Sequence, residues 1–155
     1  MKRIMLSIGD VVVSKEPAML ETILGSCVAV CLWDEKIGMG GMNHIMLPRM
    51  YSGIKNPLYC GHESIHMLLN KLLEGGASKK SLKAKVFGGG RVIKEISEHF
   101  DVGKENVKTA KEILRQHGIP IIREFTGCGY GTKVLFHSAT GRAFVKRLID
   151  IQGQI

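Results

Sequence analysis

The chain has 155 residues, 45% hydrophobic and 23% charged, the size and make-up of one globular domain spanning 1–155 with a core of its own. Its net charge of +8 favours an acidic partner, yet the basic residues are scattered and aromatics are only 6%, so nothing resembles a basic, aromatic-studded nucleic-acid groove. The opening MKRIMLSIGDVVVSKEP is broken at Gly9-Asp10 and carries no small-residue cleavage site, and no segment approaches the roughly 18 apolar residues of a membrane span, so a cytoplasmic protein with free thiols and no membrane insertion is expected.

In chain order, VVVSK (11–15) is short and β-branched and reads as a strand. CVAVCLW (27–33) alternates, with Cys27, Ala29 and Cys31 on one side and Val28, Val30 and Leu32 on the other, which suits a buried strand. The turn DEKIG leads to GMGGMNHIML (38–47), its expected partner strand. In HESIHMLLNKLLEGG the residues Ile65, Leu68, Leu69, Leu72 and Leu73 share one helical face, and Gly75-Gly76 ends the helix. SLKAKVFGGG reads as a strand running into a glycine turn. GKENVKTAKEILRQHG carries a second stripe, Val107, Ala110, Ile113 and Leu114, stopped by Gly118 and Pro120. IPIIREF is a further strand, and KVLFHSATGRAFVKRL is a hairpin turning at Ala139 to Arg142. Strands before, between and after two helices, without strict alternation, predict an α+β fold: a single layered domain of mixed and antiparallel sheets flanked by two main helices.

Four cysteines, Cys27, Cys31, Cys60 and Cys128, raise the question of chemistry. Cys27 follows Gly25 and Ser26, whose small side chains would let backbone N–H groups approach a developing oxyanion. His44, on the expected neighbouring strand, is a candidate base, and Thr22 is a candidate acceptor to orient its ring. The competing reading is packing, because free cysteine is among the most buried residue types and His44 lies among Met42, Ile45, Met46 and Leu47. Cys27, Cys31, His44, Cys60, His62 and His66 also offer a zinc reading, weakened by the lack of a tight C-x-x-C pair. Gly88-Gly89-Gly90 lacks the Gly-Lys-Ser/Thr of a phosphate loop and reads as a tight turn; Gly88 and Gly89 are candidates to line a pocket. Cys128 sits in the glycine-rich segment 126–131, read as a flexible loop with an exposed thiol.

The pieces TILGSCVAVCLWD (22–34) and GGMNHIMLP (40–48), followed by KVFGGG, VGKENV with Asn106, and GTKVLFHSATGRAFVKRL, resemble the chemoreceptor glutamine deamidases, the CheD family of bacterial chemotaxis. The resemblance runs from about residue 5 to 148. It implies hydrolysis of glutamine side-chain amides on methyl-accepting chemoreceptors to glutamate and ammonia, with receptor methyl esters as a further substrate for some members. It places the nucleophile at Cys27, the histidine at His44 and the triad threonine at Thr22, and implies neither cofactor nor metal. The implied partners are chemoreceptor cytoplasmic domains and a phosphatase of the CheC type. The implied fold is an α+β layered domain shared with certain toxin deamidases. One departure is Thr132, where the family commonly has arginine, and it bears on docking rather than chemistry. The alternative function is a non-catalytic module that regulates a chemotaxis phosphatase or a receptor complex.

Overall fold

The structure is a computed structural model describing residues 1–91 and 101–148. The strands are β1 (Lys2–Met5), β2 (Val11–Ser14), β3 (Ala18–Leu24), β4 (Val28–Asp34), β5 (Met39–Asn43), β6 (Leu82–Gly88), β7 (Ile121–Thr126), β8 (Thr132–His137) and β9 (Ala143–Arg147). The helices are α1 (Gly61–Glu74) and α2 (Val102–Gln116), with one 3-10 turn at Pro57–Tyr59. Two sheets form: β1-β3-β8-β9, four strands, and β2-β5-β4-β6-β7, five strands. Only the β1–β3 and β6–β7 pairs are parallel among the described strands. This is the expected α+β class.

The layering follows from β4. All seven of its residues are buried, because both of its faces are covered. Val28, Val30 and Leu32 point into a core shared with Ile65, Leu68, Leu69 and Leu72 of α1 and Ala110, Ile113 and Leu114 of α2. Ala29, Cys31 and Trp33 point the other way, against Leu20 and Leu24 of β3 and Val134 and Phe136 of β8. The order is therefore helices, five-stranded sheet, four-stranded sheet. Each fully buried Leu or Ile contributes about 1.5–3 kcal/mol of transfer free energy.

The two helices fall where their apolar spacing places them. Asp101 caps α2, accepting a bond from the Lys104 N–H at 3.1 Å, which satisfies one orphan donor of the first turn. β1 and β3 have no counterpart in the strands read from sequence. The expected strand over 38–47 is shorter, ending at Asn43. There the Asn43 side chain accepts the Val30 N–H at 2.7 Å and takes the place of a ladder bond. Pairing resumes at Val28 and Ile45.

Candidate active site

The segment Gly25-Ser26-Cys27 joins β3, in one sheet, to β4, in the other. It is the crossing point between the layers, and the candidate residues gather around it. Cys27 packs at the edge of the inter-sheet core and is half-buried. His44 lies across from it. The Val28–Ile45 bridge and the Cys31–Met42 pair share one register, which puts His44 opposite Ala29 and on the face that carries Cys27. Residues so related are diagonal neighbours across an antiparallel pair. Thr22 reaches the same space from β3, inward-facing between Leu20 and Leu24.

His44 is held on every side but one. Its N–H donates to the Asp10 carbonyl at 3.2 Å, and its own carbonyl accepts the Gly9 N–H at 3.0 Å. Its ring Nδ1 lies 2.6 Å from Thr22 Oγ1. The Thr22 hydroxyl also lies 2.8 Å from the Leu6 carbonyl oxygen, which can only accept. The single hydroxyl proton is thus committed to Leu6, so Thr22 accepts from His44, and the ring proton sits on Nδ1. That leaves Nε2 as a bare lone pair. His44 Nε2 is buried and has no hydrogen-bond partner.

Burial sets the resting protonation states. It pushes the Cys27 thiol up, and it pushes His44 down against a weaker opposing pull from Asp10. Both shifts favour the neutral forms, thiol and imidazole, so a thiolate at Cys27 would have to arise by proton transfer. Cys31 is fully buried, and its thiol is pushed far up by that burial, so it is packing and not chemistry.

The backbone of the crossing segment is tied down at three successive carbonyls. The Gly90 N–H donates to Gly25 O at 2.8 Å, Asn106 Nδ2 to Ser26 O at 3.1 Å, and the Gly89 N–H to Cys27 O at 2.8 Å. Gly89 and Gly90 therefore serve as braces for this segment, and the Gly89 N–H is already spent. A Cβ on Gly88 would fall onto the Cys27 carbonyl, so the close approach requires glycine. Among the described residues, the N–H groups of Ser26 and Cys27 donate to no backbone acceptor, so they remain as candidate oxyanion donors. A groove of about 560 Å³ lined by Gly89, Val107, Lys104, Lys108, Thr126 and Gly127 runs alongside, but neither Cys27 nor His44 lines it.

The zinc reading finds no support in the geometry. Cys60 is buried with its sulfur 3.4 Å from Met50 Sδ. His66 instead bonds the His62 carbonyl at 2.6 Å and His117 Nε2 at 3.0 Å. Among the described residues, no three His, Cys, Asp or Glu side chains are arranged to hold a metal ion. Cys128 is half-buried rather than exposed. Asp10, attached to this site, carries no sequence signal for such a role, and Asn106 stands out only through the VGKENV piece, which does not show that it reaches partners 60 and 80 residues away.

Fold and site define a three-layer α+β protein with a cysteine, a histidine and a threonine gathered where its two sheets meet. A profile described as CheD chemotactic sensory transduction matches residues 46–147, a span that begins just after His44. A protein of Methanosarcina acetivorans named "Probable chemoreceptor glutamine deamidase CheD 1" is 36% identical over 149 residues, covering 94% of this chain and 92% of that one. A Thiobacillus denitrificans protein named "Probable chemoreceptor glutamine deamidase CheD" is 38% identical over 144 residues, covering 90% of this chain and 71% of its own length. The chain belongs to the CheD family. Among solved structures, the Bacillus licheniformis hypothetical protein YfiH shares the fold, with a TM-score of 0.54 at 14% identity, over 88% of this chain and 60% of its own. Among the described residues, no helix is long and apolar enough to cross a membrane.

Proposed function

We propose that this protein hydrolyses glutamine side-chain amides on methyl-accepting chemoreceptors, with Cys27 as nucleophile and His44 as base. The observation that carries this reading is the buried, unpartnered Nε2 of His44, its tautomer fixed by Thr22, on the sheet face that bears the half-buried Cys27. His44 Nε2 takes the thiol proton as Cys27 Sγ attacks the glutamine Cδ. The C=O π pair moves to oxygen, which the Ser26 and Cys27 N–H groups receive. Collapse of this intermediate breaks the Cδ–N bond, and the His44 imidazolium gives its proton to the departing nitrogen, releasing ammonia. Water, deprotonated by His44, then attacks the thioester and releases glutamate and the free thiol. A methyl ester would enter the same thioester with methanol as the leaving group.

Cys27 is half-buried at the edge of the inter-sheet core, which suits a glutamine presented from a folded protein surface. The substrate implied is a chemoreceptor cytoplasmic domain, and the site of action the cytoplasm. A CheC-type phosphatase that covers this edge would limit receptor access. The test is mass spectrometry of chemoreceptor cytoplasmic domains co-expressed with the wild-type protein and with Cys27→Ala. Glutamine-to-glutamate conversion that vanishes in the variant supports the reading. No conversion across several receptors would favour a regulatory module instead.

A further inference from the structure

Asn106 stands in α2, 1% exposed, with its side chain aimed at the crossing segment. Its Nδ2 donates to Ser26 O at 3.1 Å and to Met46 O at 3.0 Å. Both amide protons are thereby used, one on the residue before Cys27 and one on the second residue after His44. The opposite face of the amide, Oδ1, is buried and has no hydrogen-bond partner. Flipping the amide would not relieve this, because Oδ1 would then face two carbonyl oxygens. An apolar side chain in this place would leave no acceptor stranded, so the two donated bonds are what the amide contributes.

The geometry of the peptide unit gives those bonds a consequence. No peptide bond among the described residues is cis, and in a planar trans peptide the C=O of one residue and the N–H of the next point in opposite directions. Fixing the Ser26 carbonyl on Asn106 therefore turns the Cys27 N–H the other way, away from α2. In the same manner, the Gly90 N–H on Gly25 O turns the Ser26 N–H. Without Asn106 the Ser26–Cys27 plane loses this tie on its carbonyl.

We propose that Asn106 is a positioning residue that orients the Ser26–Cys27 peptide so that the Cys27 N–H serves as an oxyanion donor, and that it locks this plane to the strand end carrying His44. The proposal rests on the deamidase reading above. Asn106 touches no reacting atom; it acts through the Cys27 N–H. It should therefore matter for attack on a carbonyl, which builds an oxyanion, and not for alkylation of Cys27, which does not.

The test compares two reactions of one thiol. Deamidation of a purified chemoreceptor cytoplasmic domain is followed for kcat and KM, and Cys27 alkylation by iodoacetamide is followed by mass spectrometry. The proteins are wild type, His44→Ala, Asn106→Ala and the isosteric Asn106→Asp. Loss of one oxyanion donor lowers kcat by on the order of 100-fold, so Asn106→Ala should lose about that much with KM held. Its Cys27 alkylation should stay near wild type, whereas His44→Ala should slow both reactions. Should Asn106→Asp fold poorly, Asn106→Ala carries the comparison, and the reverse holds equally. Deamidation near the wild-type rate in a folded variant overturns the proposal, as does a parallel fall in alkylation, which would mark a merely structural role. A wild type with alkylation but no deamidation overturns the functional reading itself.

Discussion

At the scale of single residues, the site depends on one proton. Thr22 has one hydroxyl hydrogen and two neighbours, and the Leu6 carbonyl claims it. Thr22→Val keeps the shape and removes the acceptor for His44 Nδ1–H. The ring could then adopt the tautomer with the proton on Nε2, which cannot accept from Cys27. Leaving a buried donor unsatisfied costs about 1–3 kcal/mol, so the variant should lose roughly 5- to 150-fold in kcat, while Thr22→Ser should retain most activity. The pH profile gives a second readout. Burial depresses His44, so the neutral base persists below the ordinary imidazole value of about 6.5. Activity should therefore persist as the pH falls through the ordinary value and be lost only at the lowered one. A midpoint at or above the ordinary value in a kcat/KM profile would show that His44 is not the buried base described.

At the scale of elements, what the sequence reveals depends on how local the determinants are. The two helices and the two faces of β4 are readable because their apolar spacing repeats within a single element. β3 is not readable in that way. Its inward positions are Leu20, Thr22 and Leu24 and its outward positions Met19, Glu21 and Ile23, so a polar residue faces in and large apolar residues face out. The pattern breaks at Thr22 because Thr22 serves His44. It is softened at Glu21 because Arg3 at 2.9 Å and Lys133 at 3.2 Å flank that carboxylate. Cys27, His44, the KVFGGG turn and Asn106 all sit in quotable motifs, but that Gly89, Gly90 and Asn106 brace the crossing segment depends on long-range pairing of β6 with β4 and on the packing of α2, which no local pattern shows. That packing is tight enough to test. A Cβ on Gly103 would lie 2.6 Å from the carbonyl oxygens of both Gly89 and Gly90, backbone atoms that cannot swing aside. Alanine is normally the better helix former by about 1 kcal/mol. Here overpacking should win, and Gly103→Ala should destabilise by about 1–3 kcal/mol in urea unfolding. A stabilised variant would mean that α2 sits less closely on the glycine turn than described.

At the scale of the whole molecule, β4 sends one face into each core, and its neighbours β5 and β6 also place residues in both. The helix-side core and the inter-sheet core therefore share a wall, and neither can melt while the other keeps its strand in place. This predicts one cooperative transition for the chain, in keeping with a single domain. The sequence offers a clean probe, since Trp33 is the sole tryptophan and lies 4% exposed in the inter-sheet core, 5.9 Å from Phe136 between ring centroids. Far-ultraviolet circular dichroism reports α1 and α2, which bound the other core. Leu32 is fully buried and faces those helices. Leu32→Ala should cost about 2–5 kcal/mol, through lost burial and the cavity left behind. Although the change lies on the helix side, Trp33 fluorescence and helical ellipticity should shift together to the same lower midpoint. A Trp33 transition that stays at its wild-type position while the helical signal moves would separate the two cores and divide the chain into independently folding layers.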